Sequence, residues 1–173
     1  ETMLIEQILR DSNYSLTLFT QAEINTLESN IISREVRGKN THYIRCLIRE
    51  KEIVIMPEEI VRQLYLLRLM TDYGYRKERI AVEFPVKFGV ETKKADIVIR
   101  DETHRESAYI IVELKKPRWK EGKDQLKSYC HATGAPIGVW TNGEQINFYH
   151  RKDPNYFEDL TNIPKITETL AEI

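Results

Sequence analysis

Three ionisable side chains at the ends of two apolar segments have the types and spacing that metal-dependent hydrolysis requires. Residues 109–114 are mostly apolar, and Glu113 and Lys115 lie two positions apart where this segment ends. Because side chains alternate across a strand, both should point to the same face. Asp96 lies at the start of the preceding apolar segment, residues 95–99. Two acids and a lysine that converge at one end of a sheet can hold a divalent cation and a hydrolytic water.

The loop spacing predicts that the two acids meet. Residues 95–100 and 108–115 are predicted to form two strands joined by a polar loop. A reversal centred on residues 104–105 puts Asp96 directly opposite Glu113. Directly opposed side chains are about 5 Å apart at Cβ, which is close enough to share one metal ion.

The expected metal ligands are the carboxylates of Asp96 and Glu113 and the backbone carbonyl of Leu114, since hard divalent cations prefer oxygen ligands. Lys115 would position the attacking water or stabilise the negative charge that develops on a phosphate. Gln125 and Tyr129 lie four residues apart on a predicted helix and therefore share a face. Their amide and phenol can bind phosphate oxygens or hold the metal ligands, although Tyr129 would serve equally as a core aromatic with a polar tip.

The other features also have ordinary structural explanations. A Glu-x-Lys pair at a strand end is usually a surface salt bridge, which predicts a closed surface with no cleft near Glu113. Glu58 and Glu59 fall in the first turn of a predicted helix, where the helix dipole favours acids. Trp119 and Trp140 are more typical of core or rim aromatics than of platforms that stack on bases.

Composition excludes several classes of function. The 173 residues suffice for one core, and their net charge of −1 gives no global attraction to nucleic acid. DNA binding would need a local basic patch, and the alternative for such a run of cations is a solvated helix face. The candidate run comprises Lys115, Lys116, Arg118, Lys120, Lys123 and Lys127. No zinc-type cysteine spacing, membrane-length apolar run or Gly-x-x-x-x-Gly-Lys phosphate loop is present, so we expect a reduced cytoplasmic protein without its own ATP motor.

The predicted elements indicate an α/β (α+β) fold, in which helices flank a mixed central sheet. The strand–helix–strand order after Lys115 predicts a parallel crossover. Glu83 falls in a predicted strand and faces either the site or solvent. The last residues have helical apolar spacing, so the chain is expected to be a piece of something longer. The predicted helices span residues 2–10, 21–31 (with Thr20 as N-cap), 57–74 and 122–133, and the predicted strands 43–48, 52–55, 79–86, 95–100, 108–115, 137–140 and 145–149.

Asp96, then Glu113-x-Lys115, then Gln125-x-x-x-Tyr129 resembles the PD-(D/E)xK nuclease superfamily in its Gln-x-x-x-Tyr branch. More closely, the chain is similar to the N-terminal nuclease domain of the restriction (R) subunit of type I restriction enzymes. The resembling stretches cover roughly residues 57–150, in the same order and with agreeing spacing. They are residues 57–63, 74–75 with 80–83, 94–98, 112–117 and 141–143.

The resemblance implies a restriction-endonuclease-like core in which Asp96 and Glu113 bind Mg²⁺, with Mn²⁺ as a substitute, and Lys115 is the catalytic lysine. Gln125 and Tyr129 would form the extra motif. An acid on the first core helix, Glu59 with Glu58 as the alternative, would complete the site.

The same resemblance implies a domain plan and a set of partners. Residues 57–150 would be the nuclease core, residues 1–56 an extension packed on it, and residues 151–173 a tail leading to further domains. ATP would act only through a motor domain outside this chain. The partners would be double-stranded DNA and the specificity and methylase subunits of a restriction-modification complex. The alternative is a non-catalytic module that docks DNA or a subunit, possibly fused to a methylase.

Overall fold

The computed structural model describes residues 4–9, 16–116 and 118–173. Four helices lie in these ranges: α1 (Leu4–Leu9), α2 (Gln21–Ser29), α3 (Pro57–Thr71) and α4 (Lys123–Thr133). The outermost residues of the predicted helix 2–10, and Pro117 of the stretch 112–117, lie outside the described residues. Thr20 caps α2 as predicted, since its hydroxyl accepts from the Glu23 amide and the Glu23 carboxylate accepts from the Thr20 amide.

Two sheets organise the described chain. The smaller one contains β1 (Ile31–Val36), β2 (Lys39–Arg45) and β3 (Glu52–Val54), all antiparallel. The larger has six strands in chain order: β4 (Ile80–Phe88), β5 (Glu91–Arg100), β6 (Ala108–Leu114), β7 (Ile137–Thr141), β8 (Ile146–Asp153) and β9 (Tyr156–Leu160). Its neighbours are antiparallel except β6 and β7, which run parallel across the α4 crossover. The predicted fold class, a mixed sheet flanked by helices, is confirmed.

The register predicted for the two central strands is also confirmed. Ile97 pairs with Val112 and Ile99 with Ile110, and the same register continued by one position sets Asp96 against Glu113. The pairing shifts by one residue at Arg100, beside the loop, so the irregularity does not reach the acids.

Three features depart from the sequence prediction. β1 was not predicted, because most of its side chains are exposed and carry no apolar alternation. β9 was not predicted either, and it adds a strand beyond β8. The helical spacing of the last residues yields only one 3₁₀ turn at Leu170–Glu172. Instead, the tail binds the segment after α3: the Ile166 amide donates to the Tyr73 carbonyl at 2.9 Å, and the Tyr75 hydroxyl donates to the Pro164 carbonyl at 2.7 Å.

Strand alternation divides the sheet into two buried faces. One face packs with the apolar side of α3, through residues such as Ile97 and Val112. The other packs with α4, through Val98 and Ile111 together with Tyr129. Asp96 and Glu113 have the parity of the second set, which directs them to the α4 face. Within the described residues, none of the helices combines the length and the apolar character that crossing a membrane requires.

Candidate active site

The two predicted acids lie at the end of the central strands, each with one defined contact. The Leu114 amide donates to Asp96 Oδ2 at 2.7 Å, which fixes that carboxylate across the β5–β6 pair. Lys115 Nζ lies 3.4 Å from Glu113 Oε1. Glu113 is only 4% exposed, and its Oε2 is buried with no hydrogen-bond partner. A buried carboxylate oxygen without a partner is costly, and a cation at this position would satisfy it.

Burial and mutual repulsion make this an electrostatically unfavourable cluster. Loss of solvent, followed by the neighbouring charge of Asp96, raises the pKa of Glu113 to about 8, against an ordinary value of 4.5. Burial also raises the pKa of Asp96, although the Leu114 amide opposes the rise. The pKa of Glu58 is raised in the same way, first by burial and then by Asp96. Raised pKa values of carboxyl groups that repel one another are typical of functional sites.

The Leu114 amide binds the Asp96 carboxylate. The role of the Leu114 carbonyl as a metal ligand stays a prediction. Among the described residues, no group of three or more His, Cys, Asp or Glu side chains is arranged to hold a metal ion. A cation here would therefore take two carboxylates from the protein, and carbonyl oxygens and water would complete its shell.

The structure separates the two acids of the first turn of α3. Glu59 is held by Arg49, whose Nη2 donates to both carboxylate oxygens at 2.8 and 2.9 Å, and by Gln63 Nε2 at 2.9 Å. The charge of Glu58 instead helps to raise the pKa of Glu113. The pKa of Glu58 is in turn raised by Asp96 and lowered by Lys115. The alternative residue, Glu58, is thus the one that interacts electrostatically with the two acids. The preferred residue, Glu59, is taken up by an ion pair.

Glu83 lies beside the site, with its side chain about half exposed. Its carboxylate is 3.9 Å from Arg49 Nη1 and 4.0 Å from Arg62 Nη1, and its charge opposes ionisation of Asp96. It has φ 55° between two residues that pair regularly with β5. A positive φ in a non-glycine strand residue is strained and is often found at functional sites. No sequence pattern identifies this conformation.

Gln125 and Tyr129 come together as predicted for two residues on one helix face. Gln125 Nε2 donates to the Tyr129 hydroxyl at 2.7 Å, and that hydroxyl donates to the Lys94 carbonyl at 3.2 Å. The phenol therefore anchors β5 two residues before Asp96. Burial, followed by the charge of Glu113, raises the pKa of Tyr129, so the phenol lies within the electrostatic reach of the acids.

Gly122, directly before α4, lies against the candidate site, and the sequence did not predict this contact. It has φ 100°, and a Cβ at this position would lie 2.5 Å from Lys115 Cε and 3.4 Å from Glu113 Cγ. Only glycine leaves the lysine in its place. The signal available in the sequence was a glycine before a helix, which indicates a cap but not a contact.

Comparison with known proteins identifies the family of this chain. The family model described as "Type I restriction enzyme R protein N terminus" matches residues 57–164, well over half of the chain. The chain belongs to this family. The match confirms the resemblance drawn from the motifs, and it extends beyond residue 150 through β8 and β9. The family also makes a nuclease-related domain the general class of this chain.

Two further comparisons are less informative. A search of the curated proteins finds no match. One solved structure, described as "a putative nuclease belonging to DUF820" from Anabaena variabilis, is similar with a TM-score of 0.42 and 13% identity. The similarity covers 75% of this chain and 76% of that chain.

Proposed function

We propose that this chain is the Mg²⁺-dependent DNA endonuclease domain of a type I restriction-modification enzyme, a site-specific deoxyribonuclease. The observation that carries the proposal is the buried, partnerless Oε2 of Glu113 beside Asp96 and Lys115. Family membership supports the same class. DNA is the proposed substrate, and the specificity and methylase subunits of such an enzyme are the proposed partners.

In the proposed reaction, the oxygen of a water molecule forms a bond to phosphorus, and the bond from phosphorus to the leaving sugar oxygen breaks. The attacking water releases one proton to solvent, and the leaving oxygen takes one up. When bound, Mg²⁺ or Mn²⁺ supplies charge neutralisation at the phosphate and lowers the pKa of water. Asp96 and Glu113 would hold the cation from adjacent strands, and the Leu114 amide keeps the Asp96 carboxylate in place. The Lys115 ammonium, on the same face as Glu113, orients the water or stabilises charge on the phosphate.

The direct test is cleavage of supercoiled plasmid by the wild-type protein with Mg²⁺ or Mn²⁺, compared with EDTA. We expect nicking or linearisation only with the cation, and about a 100-fold loss in Lys115→Ala, because one preorganised charge contributes that much to such transition states. Calorimetric titration with Mn²⁺ should show binding that Asp96→Ala loses. If the wild type neither binds Mn²⁺ specifically nor cleaves the plasmid, the non-catalytic docking module is favoured instead.

Replacement of Glu58 should affect cleavage, whereas replacement of Glu59 should affect stability. Glu58→Gln is expected to lower cleavage about 10-fold, as changes beside metal ligands commonly do, with little change in stability. Glu59→Gln should destabilise the fold by about 2 kcal/mol, because Arg49 would lose its ionised partner. Plasmid nicking and thermal denaturation of both variants measure the contrast. A loss of cleavage confined to Glu59→Gln would restore Glu59 as the third acid.

A further inference from the structure

The two tryptophans of the chain lie in opposite environments. Trp140 is fully buried, and its Nε1 donates to the Glu121 carbonyl at 2.8 Å, so it is a core residue with a satisfied polar atom. Trp119 is 46% exposed, although it lies only four residues after Lys115. Tryptophan is among the side chains that are enriched at binding interfaces, where its large apolar ring contacts a partner.

The backbone that carries Trp119 is held on both sides. Asn142 Nδ2 donates to the Trp119 carbonyl at 2.8 Å, and the Trp119 amide donates to the Lys116 carbonyl at 3.2 Å. The bond from Trp140 fixes the next part of the same segment at Glu121. The backbone of Trp119 thus has a fixed position, four residues along the chain from the proposed catalytic lysine, and little backbone entropy would be lost when the indole binds a partner.

The surroundings of Trp119 are basic, although the whole chain is not. Residues 115–127 contain six cations (Lys115, Lys116, Arg118, Lys120, Lys123 and Lys127) but only two acids (Glu121 and Asp124). Lys116 Nζ lies 4.4 Å from the centroid of the Trp119 ring. Within the part of the chain that the structure describes, Lys116, Arg118, Lys120 and Lys123 form no salt bridge with an acid. An exposed ring among uncompensated cations complements a nucleobase flanked by phosphates.

We propose that Trp119 stacks on an unpaired nucleobase of the DNA strand that enters the site, while the neighbouring cations bind its phosphates. A base inside an intact duplex already has neighbours on both faces, so this contact requires single-stranded or locally opened DNA. The inference rests on the proposed function, which makes DNA the ligand. It adds that the protein binds a strand with an unpaired base more tightly than an intact duplex.

Tryptophan fluorescence tests this on the full chain without cleavage, in EDTA. The probes are a fluorescently labelled single-stranded oligonucleotide and its blunt duplex, whose binding is followed separately by anisotropy. We expect the single strand to quench the Trp119 emission and to bind more tightly than the duplex. In Trp119→Phe the quenching should vanish, because Trp140 is buried, while affinity stays within about 3-fold. In Trp119→Ala the affinity for the single strand should fall about 10-fold.

Three results would overturn the stacking contact. The first is binding of the single strand by anisotropy without quenching, and the second is equal affinity of Trp119→Ala and Trp119→Phe. The third is absence of DNA binding by the wild type. These outcomes are independent of catalysis. If a Lys115→Ala protein still cleaves plasmid and its tryptophan emission is still quenched, Lys115 has no catalytic role, but the stacking contact stands.

Discussion

Replacement of Glu113 by glutamine is expected to lower cation-dependent cleavage about 1,000-fold or more. Glutamine keeps the shape of the side chain but removes one of the two carboxylates that would bind the cation. A metal ion stabilises transition-state charge by several kcal/mol, and about 4 kcal/mol corresponds to 1,000-fold in rate. Binding of Mn²⁺ should be lost with the activity, because Asp96 alone would remain as a strong ligand.

The same substitution should stabilise the cation-free protein at alkaline pH. The folded state holds a proton on Glu113 up to about pH 8, whereas the unfolded chain releases it near the ordinary pKa of 4.5. Folding therefore favours the protonated acid, and this contribution to stability is complete below pH 4.5 and is lost as pH rises through about 8. Glutamine is neutral at every pH, so the Glu113→Gln variant does not lose this stability as pH rises. Its melting temperature should exceed that of the wild type by several degrees at about pH 9, by less at about pH 6, and match it at about pH 4.

Thermal denaturation in EDTA across this pH range measures the difference, and Glu106→Gln provides the matched control. Glu106 is an exposed acid in the β5–β6 loop, so its replacement changes the net charge without touching the site. Added Mn²⁺ should raise the melting temperature of the wild type but not of Glu113→Gln. A variant that gains no stability at about pH 9, or that still binds Mn²⁺ as the wild type does, would contradict a charged Glu113 as the ligand.

The part of the site that the sequence predicted well depends on strand geometry. Asp96 and Glu113 are separated by one polar loop, so the length of that loop determines their register once two strands are assumed. Alternation then assigns Glu113 and Lys115 to one face. The helix period likewise brings Gln125 to Tyr129. These relations are local, and each needs only one or two elements.

The remainder depends on contacts between distant segments. The sequence offers both Glu58 and Glu59, with Glu59 preferred. The partner that distinguishes them, Arg49, belongs to the connection between β2 and β3. The positive φ of Glu83 arises within a pairing that looks regular on both sides. β9 and the packing of the tail on Tyr73 are also settled by tertiary contacts rather than by apolar spacing.

Gly122→Ala is expected to lower cleavage about 100-fold, as much as deletion of the Lys115 ammonium, while cation binding persists. The new Cβ would lie 2.5 Å from Lys115 Cε, a separation that cannot persist. Lys115 is a flexible side chain and would move, whereas Glu113 Cγ at 3.4 Å needs almost no adjustment. Displacement of a catalytic group by about 1 Å can cost 100-fold in rate. Plasmid nicking and Mn²⁺ calorimetry on the same preparation measure the two effects separately.

Gly134→Ala is the matched control, because it sits at the other end of the same helix with φ 79°. A Cβ there would meet nothing closer than Arg151 Nη2 at 4.0 Å. In both variants an alanine in the left-handed conformation should lower the free energy of unfolding by about 1–2 kcal/mol. If only Gly122→Ala also loses cleavage, the loss comes from the steric contact and not from the loss of stability. If Gly122 acts through Lys115, the double variant Gly122→Ala/Lys115→Ala should cleave no more slowly than Lys115→Ala. Additive losses would mean that the alanine disturbs the carboxylates, and the close approach of Gly122 would then serve Glu113 rather than the lysine.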